Sequence, residues 1–306
     1  MLATVYKSTG SWYQLRDAEG IAYQARIKGK FKIGDITSTN PVAVGDLVTL
    51  ENEHDPENTM ITEIHERRNY ITRVSPHNKN QHHIIASNLD QSMLFVTFKE
   101  PRTSLGFIDR FLVVSEAYEV PAVLVYNKVD LLDTNEHEAL EEIISIYRNI
   151  GYTVLPISVQ EQSGLEQLIQ LLQGKVTLLS GHSGVGKSTF INTLFPELEL
   201  KTGEVSEWSG KGMHTTTFAE MFDLPQGGKI IDTPGIRELG LVDMDKYELA
   251  HYFAEMRALM QECQFNNCIH IHEPGCAIKN AVANNSIHIE RYHNYLNILD
   301  SLEEKY

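Results

Sequence analysis

Val176-Thr177-Leu178-Leu179-Ser180-Gly181-His182-Ser183-Gly184-Val185-Gly186-Lys187-Ser188-Thr189-Phe190-Ile191-Asn192-Thr193-Leu194 is the stretch that decides the fold. An apolar strand runs into G-x-x-x-x-G-K-S, and that loop runs into a helix-forming segment, the order a phosphate-binding loop requires. The glycines allow backbone N–H groups to turn inward around phosphate oxygens, and the following helix N-terminus adds a favourable dipole. Nucleotide contact is therefore assigned to Gly181, His182, Ser183, Gly184, Val185, Gly186, Lys187, Ser188 and Thr189. Lys187 is expected to reach the β- and γ-phosphates, and the Ser188 hydroxyl to ligate Mg²⁺.

Downstream, the short apolar strand Lys229-Ile230-Ile231 ends in Asp232-Thr233-Pro234-Gly235, 45 residues after Lys187. A P-loop hydrolase needs a second-strand acid for its metal, so Asp232 is the expected Mg²⁺ partner and the Gly235 N–H the sensor of the γ-phosphate. Between loop and acid lies Gly210-Lys211-Gly212-Met213-His214-Thr215-Thr216-Thr217. A threonine here completes the Mg²⁺ shell as switch segments do, with Thr216 preferred and Thr215 the alternative. Ile236 stands where many such hydrolases carry the glutamine that orients water, and an aliphatic side chain cannot hydrogen-bond. His214 is the nearest candidate for that task, with RNA contact or packing as its other uses. The expected catalytic set is Lys187, Thr216 and His214.

Upstream, the buried-looking strand Ala122–Tyr126 ends in Asn127-Lys128-Val129-Asp130. A carboxylate here accepts from both the ring N–H and the exocyclic amine of guanine, a match adenine cannot offer, so Asp130 selects GTP. Asn127 is expected at the other edge of the base, with the Lys128 stem over its face. Ser158, in Ile157-Ser158-Val159, is expected to bring backbone N–H groups to the guanine carbonyl. The order, base motif at 127, phosphate loop at 181 and acid at 232, is rotated relative to small GTPases, which begin with the phosphate loop. Rotation preserves the pocket where the old termini lay close together.

The flanks differ in pattern. Residues 1–70 carry short alternating strands (Thr4–Tyr6, Trp12–Leu15, Ile21–Arg26, Asp46–Leu50, Met60–Ile64) broken by turns, which predicts an N-terminal OB-type β-barrel. Arg26, Lys28, Lys30 and Lys32 alternate, which puts them on one strand face if the register holds, either as a nucleic-acid contact or as a solvated edge. Residues 71–240 alternate apolar strands with helical stretches such as Phe107–Tyr118 and Glu136–Ile150, which predicts a parallel α/β sheet. Residues 241–306 read as a helical domain, with helices over Lys246–Met260 and Ile287–Lys305. Between those helices, Cys263, Cys268, His270 and Cys276 offer three thiolates and an imidazole within 14 residues, a set suited to tetrahedral structural Zn²⁺, with His272 the competing imidazole.

Composition bounds the partners. A net charge of -15 excludes a protein that coats nucleic acid through bulk electrostatics, so any RNA contact uses local patches. All three cysteines fall in the knuckle, a poor disulfide framework but a plausible metal site in a reducing compartment. No leader-like start and no apolar run of ~20 residues is present, so a cytoplasmic protein with no membrane partner is expected.

Taken together, the barrel, N-K-x-D, G-x-x-x-x-G-K-S-T, G-K-G-M-H-T-T-T, D-T-P-G-I and C-x4-C-x-H-x5-C resemble, over the whole chain, the bacterial ribosome small subunit-dependent GTPase A family. The resemblance implies a circularly permuted GTPase that binds the small ribosomal subunit late in assembly and touches ribosomal RNA through its barrel and zinc domains. It implies GTP hydrolysis to GDP and phosphate, stimulated by the subunit, in a protein expected to be a monomer. A GTP-gated binding module with negligible turnover is the competing reading. A P-loop kinase of a small molecule is the other, and Asn127–Asp130 argues against it.

Overall fold

The computed structural model describes residues 1–28, 40–51, 59–74, 82–196, 219–233 and 244–303. In its first unit, side chains alternate in and out along β1 (Leu2–Ser8), β2 (Tyr13–Arg16), β3 (Ala22–Ile27), β4 (Leu47–Glu51) and β5 (Thr59–Ile64). The inward set, including Val5, Leu15, Ala25, Val48 and Ile61, is fully buried and forms one apolar cluster. The strands pair in the order β1-β2-β3-β5-β4, and β4 returns to β1, so the sheet closes into a five-stranded barrel without a free edge.

Of the expected basic stripe, Arg26 and Lys28 lie within the described residues. β3 ends at Ile27, Arg26 lies over the Trp12 ring at 3.8 Å, and Lys28 pairs with Glu51. Lys30 and Lys32 lie outside the described residues.

A buried ion pair anchors the barrel to the hairpin after it. Asp46, with no exposed surface, receives Nε and Nη2 of Arg67, both at 2.7 Å, the Ser87 hydroxyl at 2.6 Å and the Ala43 N–H at 2.8 Å. Ser87 ends that hairpin, made of β6 (Tyr70–Val74) and β7 (His82–Ser87), which the sequence pattern did not reveal.

The second unit is built on β8 (Gln91–Thr97), β9 (Ala122–Asn127), β10 (Thr153–Pro156), β11 (Val176–Ser180) and β13 (Lys229–Asp232), all parallel, in the order β10-β9-β8-β11-β13. Every residue of β8 is buried because helices cover both faces. Leu94 and Val96 pack with α1 (Leu105–Ala117) and α2 (Thr134–Asn149); Met93 and Phe95 pack with α3 (Leu165–Leu172) and α4 (Lys187–Leu194).

Local chemistry starts the helices where they begin. The Ser104 side chain accepts from the Phe107 N–H at 3.2 Å at the head of α1. Asp133 and Glu136 exchange a reciprocal capping box at the head of α2, whose Leu140, Ile144 and Tyr147 form its buried stripe.

On the far edge, β12 (Glu220–Asp223) runs antiparallel to β13 and receives β1 at Lys7↔Glu220. Barrel and parallel sheet are therefore one eleven-stranded sheet. The seam is held by Lys7–Glu220 at 2.6 Å and by Asp223, which accepts from Tyr6 at 2.7 Å, Arg16 at 2.6 Å and Lys229 at 3.0 Å.

The third unit departs from the expected single helix over Lys246–Met260. That segment is a 3₁₀ turn (Leu249–Tyr252), the short α5 (Ala254–Arg257) and a second 3₁₀ turn (Met260–Glu262). The break is at Phe253, which takes an extended backbone and buries its ring edge-on against Tyr295, 5.5 Å between centroids. Tertiary packing of one aromatic overrides the local helical preference. α6 (Ala277–Ala283) and α7 (Ile289–Glu303) complete the unit. Among the described residues no helix is long and apolar enough to cross a membrane.

Removing one member of a buried pair leaves the other uncompensated, at about 3–5 kcal/mol. Arg67→Met is therefore expected to lower the midpoint of chemical denaturation by an amount corresponding to about 3–5 kcal/mol. A change within the error of the wild-type curve would show that the Asp46 carboxylate does not need its guanidinium.

Candidate nucleotide site and metal centre

β11 delivers the phosphate loop to the C-terminal end of the parallel sheet, where open α/β sheets place their ligands. Val185 is fully buried and pins the loop from below, while Ser183, Gly184 and Thr189 stay open to solvent. Gly186 starts α4 at φ +97, and a Cβ there would lie 2.3 Å from Nδ2 of Asn127, so the loop closes over the base motif only because this residue has no side chain.

Lys187 donates to the carbonyls of Gly181 at 2.6 Å and His182 at 3.0 Å, which holds its ammonium across the mouth of the loop. Ser188 follows it in the first turn of α4. Burial lowers the Lys187 pKa, and the nearby Asp232 opposes that shift. Reciprocally, burial pushes the Asp232 carboxyl up to about 6, with Lys187 pulling it back down. Asp232 sits at the end of β13, in register with Leu179 of β11, and Thr233 donates to the Leu179 carbonyl at 3.1 Å. The acid and the lysine of the two distant motifs thus share one pocket. A carboxylate and a serine hydroxyl are hard-oxygen donors of the kind Mg²⁺ takes together with nucleotide phosphates.

The base motif closes the pocket from the other side. Asn127 ends β9, buried, and its amide bridges two loops: Nδ2 donates to the Val185 carbonyl at 2.9 Å, and Oδ1 accepts from the Val159 N–H at 3.2 Å. Expected from the sequence as a partner of the base, Asn127 serves here as the tie between the phosphate loop and the loop after β10. Lys128 takes a left-handed backbone at φ +65 and donates to the Glu100 carbonyl at 2.6 Å, and Val129–Leu131 form a 3₁₀ turn that presents Asp130 half-exposed.

Around Ser158, the backbone groups expected at the guanine carbonyl have partners within the protein. The Ser158 N–H donates to the Ser163 carbonyl, the Ile157 N–H to Tyr126 and the Val159 N–H to Asn127. All three N–H groups are engaged within the protein, and Ser158 reaches the base site through its hydroxyl, which donates to Asp130 at 2.5 Å and fixes that carboxylate. Motif reading also missed Phe107, whose ring stacks on His182 with centroids 3.9 Å apart. Its partner lies across the fold, so no local pattern marks it. His214, Thr215, Thr216 and Gly235 lie outside the described residues.

The candidate metal centre lies in the third unit. The ligand atoms of Cys263, Cys268, His270 and Cys276 all lie within 4.8 Å of one another. His270 Nδ1 is 3.7 Å from the Cys263 sulfur and 3.4 Å from that of Cys276, close to the edge of about 3.7 Å for a tetrahedron with Zn–S bonds near 2.3 Å. Burial, with the other thiols beside it, raises the Cys268 pKa to about 12, and burial lowers that of His270. Three sulfur donors and an imidazole nitrogen converging on one point suit a divalent cation, and the four residues fit structural Zn²⁺. His272 is exposed and outside the cluster. Glu273 accepts the N–H groups of Ile269, Ile271 and His272, which shapes the turn around the centre.

Comparison with known proteins agrees with this geometry. Residues 64–242 match the RsgA GTPase family and residues 3–60 the RsgA N-terminal domain. The small ribosomal subunit biogenesis GTPase RsgA of Flavobacterium johnsoniae is 50% identical over 308 residues, covering 100% of this chain and 95% of its own. The RsgA 2 protein of Bacteroides thetaiotaomicron, with the same description, is 48% identical over 304 residues, covering 99% and 98%. Among solved structures, YjeQ from Thermotoga maritima superposes with a TM-score of 0.78 at 32% identity, covering 98% of each chain. YloQ, described as a circularly permuted GTPase, gives 0.77 at 29%, covering 100% and 96%. In this chain too the strand that ends in the base motif, β9, precedes the strand that opens the phosphate loop, β11. The two families of motif, read in rotated order and folded onto one sheet, place this chain in the RsgA family of circularly permuted GTPases.

Proposed function

We propose that this protein is a small ribosomal subunit biogenesis GTPase, which binds the subunit and its RNA late in assembly and hydrolyses GTP to GDP and phosphate when bound. The observation that carries it is the Asn127 bridge, which holds the guanine motif and the phosphate loop in one pocket, in a chain whose full-length relatives are named for that activity. The division of labour follows the three units: residues 1–70 as the barrel that meets RNA, 71–240 as the GTPase and 241–306 as the zinc-bearing helical unit. The protein works as a monomer in the cytoplasm, where ribosomal subunits are built.

Asp130, oriented by Ser158, accepts from the ring N–H and amine of guanine. Lys128 lends its stem to the base. The backbone of Gly181–Thr189 and the Lys187 ammonium hold the phosphates, and Gly235 senses the γ-phosphate. Ser188, Thr216 and Asp232 would hold Mg²⁺, whose charge would offset the negative charge on the phosphate oxygens. His214 orients a water for in-line attack on the γ-phosphorus; the P–O bond to the β–γ bridging oxygen breaks, and that oxygen leaves with GDP. Cys263, Cys268, His270 and Cys276 hold one structural Zn²⁺.

The decisive measurement is the GTP hydrolysis rate with and without purified small subunits, repeated for His214→Ala. Subunits are expected to accelerate the wild type by at least about tenfold, and the His214 variant to lose most of that gain, as removal of a positioned general acid–base or water-orienting group costs roughly 10²–10⁴. No stimulation by subunits would replace the enzyme with a GTP-gated binding module.

Asp130→Asn is expected to weaken GTP binding by roughly ten- to a hundredfold, since a hydrogen bond to a charged partner contributes about 1.5–3 kcal/mol. An unchanged dissociation constant measured with a fluorescent GTP analogue would refute the assignment of Asp130.

Elemental analysis should find one zinc per chain. Its removal with a mercurial and chelator is expected to lower the melting temperature and strip order from the last 60 or so residues, because binding to a structural site is folding free energy; full stability without zinc would argue against a structural role.

A further inference from the structure

The sequence links nucleotide and zinc unit through one covalent connection, the chain after Asp232. The fold adds a second, made of side chains, at the N-terminal end of α1. Phe107 stacks on His182 of the phosphate loop, 3.9 Å between centroids at an interplanar angle of 32°. One residue before it, Gly106 brings the helix so close to α7 that a Cβ would lie 3.3 Å from Oδ1 of Asn294. Two residues after it, the buried Asp109 carboxylate accepts from Arg291 Nη1 at 2.5 Å and Asn294 Nδ2 at 2.6 Å, both on α7, and from the Tyr147 hydroxyl at 2.8 Å.

α7 in turn grips the metal knuckle. Tyr292 donates to the His270 carbonyl at 2.7 Å, and Tyr295 to the Ile269 carbonyl at 2.8 Å. Arg291, 2% exposed, also spans Glu255 with Nε at 2.7 Å and Nη2 at 3.0 Å. Every joint is a short polar bond between mostly buried groups or a ring stack, so a shift at either end has little slack in which to be absorbed.

We propose that Phe107 is a positioning residue through which occupancy of the phosphate loop is transmitted along α1 and α7 to the zinc knuckle. The proposal rests on the guanine-nucleotide reading above. Filling the loop fixes the backbone at His182, which fixes the ring against Phe107 and with it the head of α1. Because the loop and Lys187 hold the β-phosphate in GDP as well as in GTP, this path reports that the site is loaded and not which nucleotide loads it. It is distinct from the switch segments, which respond to the γ-phosphate.

The test is amide hydrogen exchange of the zinc-loaded protein, alone and saturated with Mg²⁺ and either GDP or a non-hydrolysable GTP analogue, with binding measured separately by fluorescence. In the wild type, either nucleotide is expected to slow exchange in 269–271 and 289–303 by about fivefold or more, the lower end of ordinary allosteric coupling. Phe107→Ala, at saturating nucleotide, is expected to lose that protection, and Phe107→Tyr, which keeps the ring, to restore it. The double variant Tyr292→Phe with Tyr295→Phe, which keeps both rings and removes both bonds from α7 to the His270 and Ile269 carbonyls, is expected to keep the protection of α7 and lose that of 269–271, so the proposal stays testable if Phe107→Ala does not fold.

Nucleotide binding without any protection of 269–303, protection by the GTP analogue alone, or equal protection of 269–271 in the wild type and in the double variant lacking both tyrosine hydroxyls would each overturn the relay. Absence of guanine-nucleotide binding in the wild type would overturn the functional reading itself.

Discussion

The pocket depends on one buried amide. Asn127 stands at the end of a parallel strand, and its two polar atoms hold the phosphate loop through Val185 and the loop after β10 through Val159. Three segments far apart in the chain are thereby set at fixed spacing, which a ligand as long as a nucleoside triphosphate needs at both ends. The amide is also what forces glycine at 186, since a side chain there would occupy the space of its nitrogen. The order of the motifs along the chain does not matter to this arrangement, because the sheet positions strand ends and not sequence positions.

That sheet does more than carry the pocket. β12 pairs with β13 on one side and with β1 of the barrel on the other, so Lys7, Glu220 and Asp232 lie in line across three strands. The barrel is thus bonded to β12, the neighbour of the strand that ends in Asp232. The cluster of Tyr6, Arg16, Asp223 and Lys229 at the same seam adds charge-assisted bonds between the two units. These groups are partly exposed, so their worth lies more in fixing orientation than in stability.

The third unit, which carries the cluster of three cysteines and His270, is joined by a buried ion network instead of a sheet. Arg291 faces Asp109 and Glu255 with almost no exposed surface. Burial disfavours the Asp109 anion, but a guanidinium, an amide and a phenol all donate to it, and the two carboxylates hold Arg291 firmly protonated. Such a network is a weak source of net stability and a strong source of specificity, because any other docking angle would strand a charge. The acidic total of the chain is compatible with RNA contact for the same reason that it is uninformative about it: the charges are distributed by the fold, and several basic groups are spent inside, as Arg67 and Arg291 are.

What the sequence determined by itself was whatever rests on short-range chemistry. The phosphate loop needs its glycines and lysine in consecutive order, N-K-x-D must end a strand, the knuckle's ligands fall within one turn-rich segment, and strict alternation marks barrel strands. Each of these is written in neighbouring residues, so the barrel strands, the GTPase motifs and the grouping of Cys263, Cys268, His270 and Cys276 were legible in the sequence. The tertiary structure alone decided what rests on long-range pairing. That β1 leaves the barrel to meet β12, that Ser158 acts on Asp130 by its hydroxyl because its N–H is already taken, and that Phe253 breaks the expected helix to reach Tyr295 all depend on partners distant in sequence. Hydrophobic period and turn chemistry say which face of an element is buried; they do not say against what, because that choice is made by packing of the whole and not by any local preference.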